Sequence, residues 1–194
     1  NDDTDYFGWS VSLDQDTLAV GATGEDSNQT TITNGTTASA NNSSPSGAVY
    51  VYKRNGTIWA QEAYIKSANY DGSGDGLGGS VSLDQDTLAV GATGEDSNQT
   101  TITNGTTASS DDTNTNSGAV YVYKRSGTNW AQEAYIKAAN SDGNDRFGWS
   151  VSLDQDTIVV GAKGEESNQT TITNGATADT DNSNSNAGAV YIYK

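Results

Sequence analysis

A stretch running from Phe7 to Ala22, FGWSVSLDQDTLAVGA, returns as Leu77 to Ala92 and again as Phe147 to Ala162, and Gly8, Gly78 and Gly148 stand 70 residues apart. From Ser10 to Ser39 the first copy matches Ser80 to Ser109 letter for letter. A chain with such a period reuses one supersecondary unit and buries its core between neighbouring copies, so the period constrains the fold more than any other feature. The repeats run 1–70, 71–140 and 141–194, the last ending before its final segment.

Within the stretch, Trp9, Val11 and Leu13 alternate with Ser10 and Ser12. After Asp14-Gln15-Asp16, Leu18, Val20 and Ala22 alternate with Ala19 and Gly21, which predicts two short strands joined by a tight turn. The intervening side chains are small where a solvated face would carry Lys, Glu or Thr, so both faces of this hairpin are expected to be covered at close approach. A long polar segment follows from Thr23 to Ser46, in which Thr30 to Ala38 reads as a small hairpin turning at Asn34-Gly35. Strands are then predicted at Ala48–Lys53 and Trp59–Lys66, and again at Ala119–Lys124 and Trp130–Lys137.

Four strands per repeat, with Ser, Gly and Ala in the first two and Tyr and Trp in the last two, fit a wedge that is thin inside and thick outside. The expected fold is therefore all-β: tandem four-stranded antiparallel β-propeller-type blades, the third incomplete, in preference to a solenoid or sandwich. Composition narrows the function. With 25 acidic and 9 basic residues and a net charge of −16, the chain lacks the basic footprint that nucleic acid or an anionic membrane requires. There is no Cys, His or Met, so disulfides, thiolate metal sites and the commonest general base are absent. No apolar run reaches the length of a membrane span. Lack of Met at residue 1 predicts a chain that is processed, cut from a larger product or engineered.

Phe7-Gly8, Gly21-Ala22 and Gly47-Ala48-Val49-Tyr50-Val51-Tyr52, together with the GEDSN and W-x-Q-x-AYIK segments, resemble the FG-GAP repeat of integrin α-subunit propellers and, more closely, of bacterial secreted FG-GAP proteins. The resemblance spans nearly the whole chain. It implies four-stranded blades, extracellular adhesion and calcium binding. Three departures qualify it: Thr23, Thr93 and Lys163 replace the Pro of GAP, Leu77 and Gly79 replace Phe and Trp, and the integrin-type calcium loop between strands one and two is missing. Asp14-Gln15-Asp16 is too short to wrap an ion that takes roughly six or more oxygens.

Other oxygen-rich groups recur at the start of the long loop: Glu25, Asp26 and Asn28; Glu95, Asp96 and Asn98; Glu165, Glu166 and Asn168. They could bind Ca²⁺, and equally cap turns through Asx-type hydrogen bonds. Asp5, Asp75 and Asp145 recur in the linkers. Asp14 and Asp16 read as turn residues, not as an acid pair for catalysis. Trp9, Trp59, Trp130 and Trp149 could stack on sugars or serve as core. Sequons at Asn28, Asn34, Asn41, Asn42, Asn55, Asn98, Asn104 and Asn168 are candidate glycosylation sites.

Three blades fall short of the roughly four to eight that close a ring, and the strand bearing Val190, Tyr191, Ile192 and Tyr193 is left as an unpaired edge suited to self-association. The expectation is a non-enzymatic extracellular or cell-surface structural or adhesive protein. Its blades continue in copies of itself or in a longer chain, as a closed propeller or a fibre. The alternative is a ligand-binding module, a lectin or calcium-dependent adhesin that meets cell-surface glycans or proteins through the long loops.

Overall fold

A computed structural model describes residues 4–36, 45–69 and 74–194; the sequons at Asn41 and Asn42 lie outside them. The first repeat forms β1 (Phe7–Asp14), β2 (Thr17–Ala22), β3 (Thr33–Asn34), β4 (Ala48–Asn55) and β5 (Ile58–Ile65). The second forms β6 (Leu77–Asp84), β7 (Thr87–Ala92), β8 (Ile102–Asn104), β9 (Ala119–Ser126) and β10 (Asn129–Ile136). The third forms β11 (Phe147–Asp154), β12 (Thr157–Ala162) and β13 (Ala189–Tyr193). All strand pairs within the sheets are antiparallel, in the orders β1-β2-β4-β5-β3, β6-β7-β9-β10-β8 and β11-β12-β13. The molecule is thus all-β, built of propeller-type blades that do not close into a ring.

The fifth strand of the first two blades corrects one expectation. Thr33-Asn34 and Ile102–Asn104 do not fold back on their own loop; each adds to the outer edge of the blade, Thr33 opposite Tyr64 and Thr103 opposite Tyr135. The free edge of a tyrosine-rich outer strand offers a whole ladder of donors and acceptors, which outcompetes a two-residue local hairpin.

Asp14 pairs with Thr17, leaving Gln15-Asp16 as the turn, and Gln15, Gln85 and Gln155 each sit at a φ of 50–55°. Each first strand carries a register shift just after its opening residue, between Phe7 and Ser10, Leu77 and Ser80, and Phe147 and Ser150. The inner strands stand side by side: β6 lies over β1, β2 and β4, and β11 lies over β6, β7 and β9. Two apolar cores fill the spaces between blades. One joins Ala19, Val49, Val51 and Ile65 to Val81, Leu83, Leu88 and Tyr121; the other joins Val120, Val122 and Ile136 to Phe147, Leu153 and Val160. The core of this molecule lies between its sheets, so the joint between blades is where sequence repeat becomes structure.

Candidate functional site

Three parts of each repeat meet at the joint. The opening residue of a blade, Leu77 or Phe147, forms a parallel bridge to Gly47 or Gly118 of the blade before it, its N–H donating to Ser46 O or Ser117 O at 2.9 Å. The glycine that follows brings its carbonyl over the second strand of that earlier blade. A Cβ on Gly21 would sit 2.1 Å from Gly78 O, and a Cβ on Gly91 2.1 Å from Gly148 O. Only hydrogen fits there, which is the physical content of the paired Phe-Gly and Gly-Ala motifs.

The small polar residues of the first strand stitch the joint. Ser10 Oγ donates to Gly78 O at 2.7 Å, Leu83 N–H donates to Ser12 Oγ at 3.0 Å, and Gln85 N–H donates to Asp14 Oδ2 at 2.8 Å. One repeat later Ser80, Ser82 and Asp84 make the same three bonds to Gly148, Leu153 and Gln155, at 2.8, 2.9 and 2.7 Å. Asp14 is therefore spent on a neighbouring blade, and Asp16 is paired with Arg54 at 2.7 Å. Neither has the environment of a catalytic acid. Arg125 spans the same joint, meeting Asp86 at 2.6 Å and Glu62 at 3.2 Å.

A buried polar cluster closes the outer end. Glu95 accepts from Lys137 Nζ at 2.7 Å, Tyr135 OH at 2.7 Å and Asn69 Nδ2 at 3.1 Å, while Tyr121 OH donates to Asn69 Oδ1. Asn69 belongs to the preceding repeat, so the cluster is shared across the joint. At the next joint Asn140 donates to Glu165 Oε1 at 2.9 Å and accepts from Tyr191 OH at 2.7 Å. Burial holds the Lys66 and Lys137 ammoniums below the usual lysine range against the opposing pull of Glu25 and Glu95, and pushes Glu25 and Glu165 up. These asparagines and lysines were overlooked in the sequence. Their signal is the recurring KSAN and KAAN at Lys66–Asn69 and Lys137–Asn140.

The loop acids divide between burial and capping. Glu25, Glu95 and Glu165 are buried, Glu25 accepting from Ser27 N–H at 2.8 Å and Glu165 from Ser167 N–H at 3.0 Å. Asp96 Oδ1 accepts from Asn116 N–H at 2.6 Å. Asp26 and Glu166 are half-buried, and Asn28, Asn98 and Asn168 are exposed. Asn98 Nδ2 donates to Thr113 Oγ1 and Asn168 Nδ2 to Ser183 Oγ. Asp111 and Asp181 lie below the usual carboxylate range, held there by hydrogen bonds from Thr113 and Ser183. Among the described residues no three Asp or Glu side chains converge as a metal-binding group.

Asp5, Asp75 and Asp145 are all buried, and their carbonyls accept from Gly24, Gly94 and Gly164 at 2.9–3.1 Å. Trp130 is core with Arg125 over its ring at 5.5 Å, and cations also cover the faces of Trp59 and Trp149: Arg54 at 5.4 Å and Lys163 at 4.2 Å. Of the sequons, Asn34 is engaged, bonding both N–H and C=O of Trp130 in the next blade at 2.8 and 3.4 Å; Asn55 and Asn104 lie on exposed strand ends. Val190 and Ile192 are exposed on the face of the third blade, while Tyr191 and Tyr193 turn inward to pack edge-on against Phe147. A surface groove of about 360 Å³ lies between hairpin turns, lined by polar residues that include Asp84, Asp86, Lys124 and Asp156.

Among families of known proteins, a sequence model described as FG-GAP repeat matches residues 1–52 and 130–193, more than half of the chain. No curated protein matches it.

Proposed function

This chain belongs to the FG-GAP repeat family, and from that premise we propose that it is a non-enzymatic structural or adhesive module of the cell surface or extracellular space. Its blades are completed by further blades, from copies of itself or from a longer chain, to give a closed propeller or a fibre. The observation that carries this reading is the open stack: three sheets joined side by side, with β13 presenting an unpaired edge. The polar residues support a non-catalytic role, because the buried carboxylates are bound to lysine or backbone donors within a blade or, as Asn140 to Glu165, to an asparagine across a joint. FG-GAP repeats are typical of extracellular and surface proteins, and no helix among the described residues is long and apolar enough to cross a membrane. Electron microscopy of the native material, with and without chelator, tests the reading. Rings or filaments are expected; dispersed single stacks would count against it, and dissolution by chelator would assign calcium to the loops.

A further inference from the structure

We propose that Lys137 and Asn69 join covalently, the lysine amine displacing ammonia from the asparagine carboxamide so that an amide bond ties the second blade to the first. Every group involved lies inside the chain, so the bond is independent of how the array continues. It is a single event within the molecule, with no substrate turned over.

Both partners sit just past the ends of corresponding strands. Asn69 follows β5 of the first blade, Lys137 follows β10 of the second, and Glu95, from the segment after β7, touches both. Glu95 Oε2 accepts from Lys137 Nζ at 2.7 Å, and Glu95 Oε1 accepts from Asn69 Nδ2 at 3.1 Å. The carboxamide is fixed from its other sides as well: Nδ2 also donates to Ser109 O at 2.9 Å, and Oδ1 accepts from Tyr121 OH. Lys137 Nζ donates in addition to Ser117 Oγ at 2.6 Å, and Tyr135 OH donates to Glu95 Oε1 at 2.7 Å. Lys137 and Glu95 are each 1% exposed, and Tyr121 and Tyr135 are wholly buried. A nucleophile, a proton carrier and a hydrogen-bonded carbonyl thus share one space closed to solvent, which is what attack on an amide needs.

The step balances with these groups alone. Glu95 takes a proton from the Lys137 ammonium, and burial assists, since it already holds that ammonium below the usual lysine range. As the four-carbon lysine stem turns, the amine lone pair forms a bond to Asn69 Cγ and the carbonyl electron pair moves onto Oδ1, where Tyr121 OH donates to the developing charge. Glu95 then gives its proton to Nδ2 and takes one from the former Lys137 nitrogen. The Cγ–Nδ2 bond breaks, and ammonia leaves with the remaining proton as ammonium, which returns Glu95 to the carboxylate. Nothing is oxidised or reduced.

Among the described residues, the corresponding clusters hold only part of this set. Lys66 Nζ donates to Ser46 Oγ at 2.6 Å near Glu25, but no asparagine meets that carboxylate, whose Oε2 lacks a hydrogen-bond partner. Asn140 donates to Glu165 Oε1 at 2.9 Å and accepts from Tyr191 OH at 2.7 Å, but no lysine joins them. The two serve as controls within the same molecule.

Mass spectrometry of the full chain, purified folded and then denatured, tests the proposal. The expected mass is below that of the sequence by one ammonia. Trypsin should leave Lys137 uncut and release segment 126–146 joined to segment 67–124, while cutting after Lys66 as usual. Asn-Gly pairs such as Asn55-Gly56 also lose ammonia when they close to succinimides, so the digest follows brief mild alkali, which opens succinimides and spares amides. Asn69→Ala and Glu95→Gln, each checked for folding by circular dichroism, should show the full mass of their sequences. The wild-type mass and digest decide the matter even where a variant fails to fold. A wild type of full mass, a deficit that alkali reverses, or a bond that maps to other residues overturns the proposal, and a bond that still forms in folded Glu95→Gln overturns the role of Glu95 in it.

Discussion

Glu25, Glu95 and Glu165 occupy one position of the repeat and are all buried, yet each meets a different set of donors. Glu95 has a lysine, a tyrosine and an asparagine. Among the described residues Glu165 has Asn140 but no lysine, and Glu25 accepts from neither a lysine nor an asparagine, its Oε2 lacking a hydrogen-bond partner. Removing one partner of a buried pair leaves the other charge without compensation. Glu95→Gln is expected to cost about 3 kcal/mol in denaturant unfolding, and Lys137→Met in that background to recover part of it. Glu25→Gln should cost less, because burial already favours the neutral form there. The glycines give a second contrast. Gly91→Ala drives a methyl into Gly148 O and should lose about 3 kcal/mol. Gly161→Ala meets only the movable Ser150 hydroxyl and should unfold like wild type at protein concentrations where the chain is monomeric.

At the scale of elements, the heptapeptide QTTITNG occurs unchanged at 29–35, 99–105 and 169–175. It supplies a strand to the first two blades and none to the third, where Ile172 is almost wholly exposed. The difference lies outside the peptide: β5 and β10 offer it an edge, and the third blade has no such strand. In the first two copies the glycine N–H donates across the sheet, Gly35 to Glu62 O and Gly105 to Glu133 O, both at 2.7 Å. Hydrogen exchange should therefore protect the Gly35 and Gly105 amides by about tenfold or more over Gly175. Equal rates at all three would mean that the fifth strand is not stably paired. This also marks what the sequence could convey. Period-two alternation and tight turns made the four main strands of the first two blades and the three of the third readable, since they report local geometry. The small side chains of Ser10, Ser12 and Gly21 announced close cover on both faces. Their partners could not be read, because those bonds join residues about one repeat apart, and Asn34-Gly35 looked like a hairpin because a local turn signal says nothing of a vacant edge elsewhere.

For the whole molecule the decisive quantity is charge buried at joints within a chain of net charge −16. Burial lifts Asp145 to about 6, opposed by the Asp142 N–H at 2.7 Å and aided by Glu165, Asp142 and Glu166. Burial raises Glu25 and Glu165 as well. A carboxyl raised in the folded state binds its proton more tightly there than in the unfolded chain, so its contribution is complete at low pH and is lost as pH climbs through the folded value. Between pH 7 and pH 5 the protein should accordingly gain stability, by about 1 kcal/mol from Asp145, seen as a rise in Tm of roughly 3 °C for a chain of this size. Further acidification should reverse the trend as Asp111 and Asp181, whose values are lowered by their hydrogen bonds, take up protons. Asp145→Asn keeps an acceptor for the Asp142 N–H and removes the titration, so it should flatten the rise from pH 7 to pH 5. A slope unchanged by that substitution would move its origin from the joint to the repulsion among surface acids. Salt distinguishes the two, since at 1 M the Debye length is about 3 Å and surface repulsion is screened while a buried carboxyl is not.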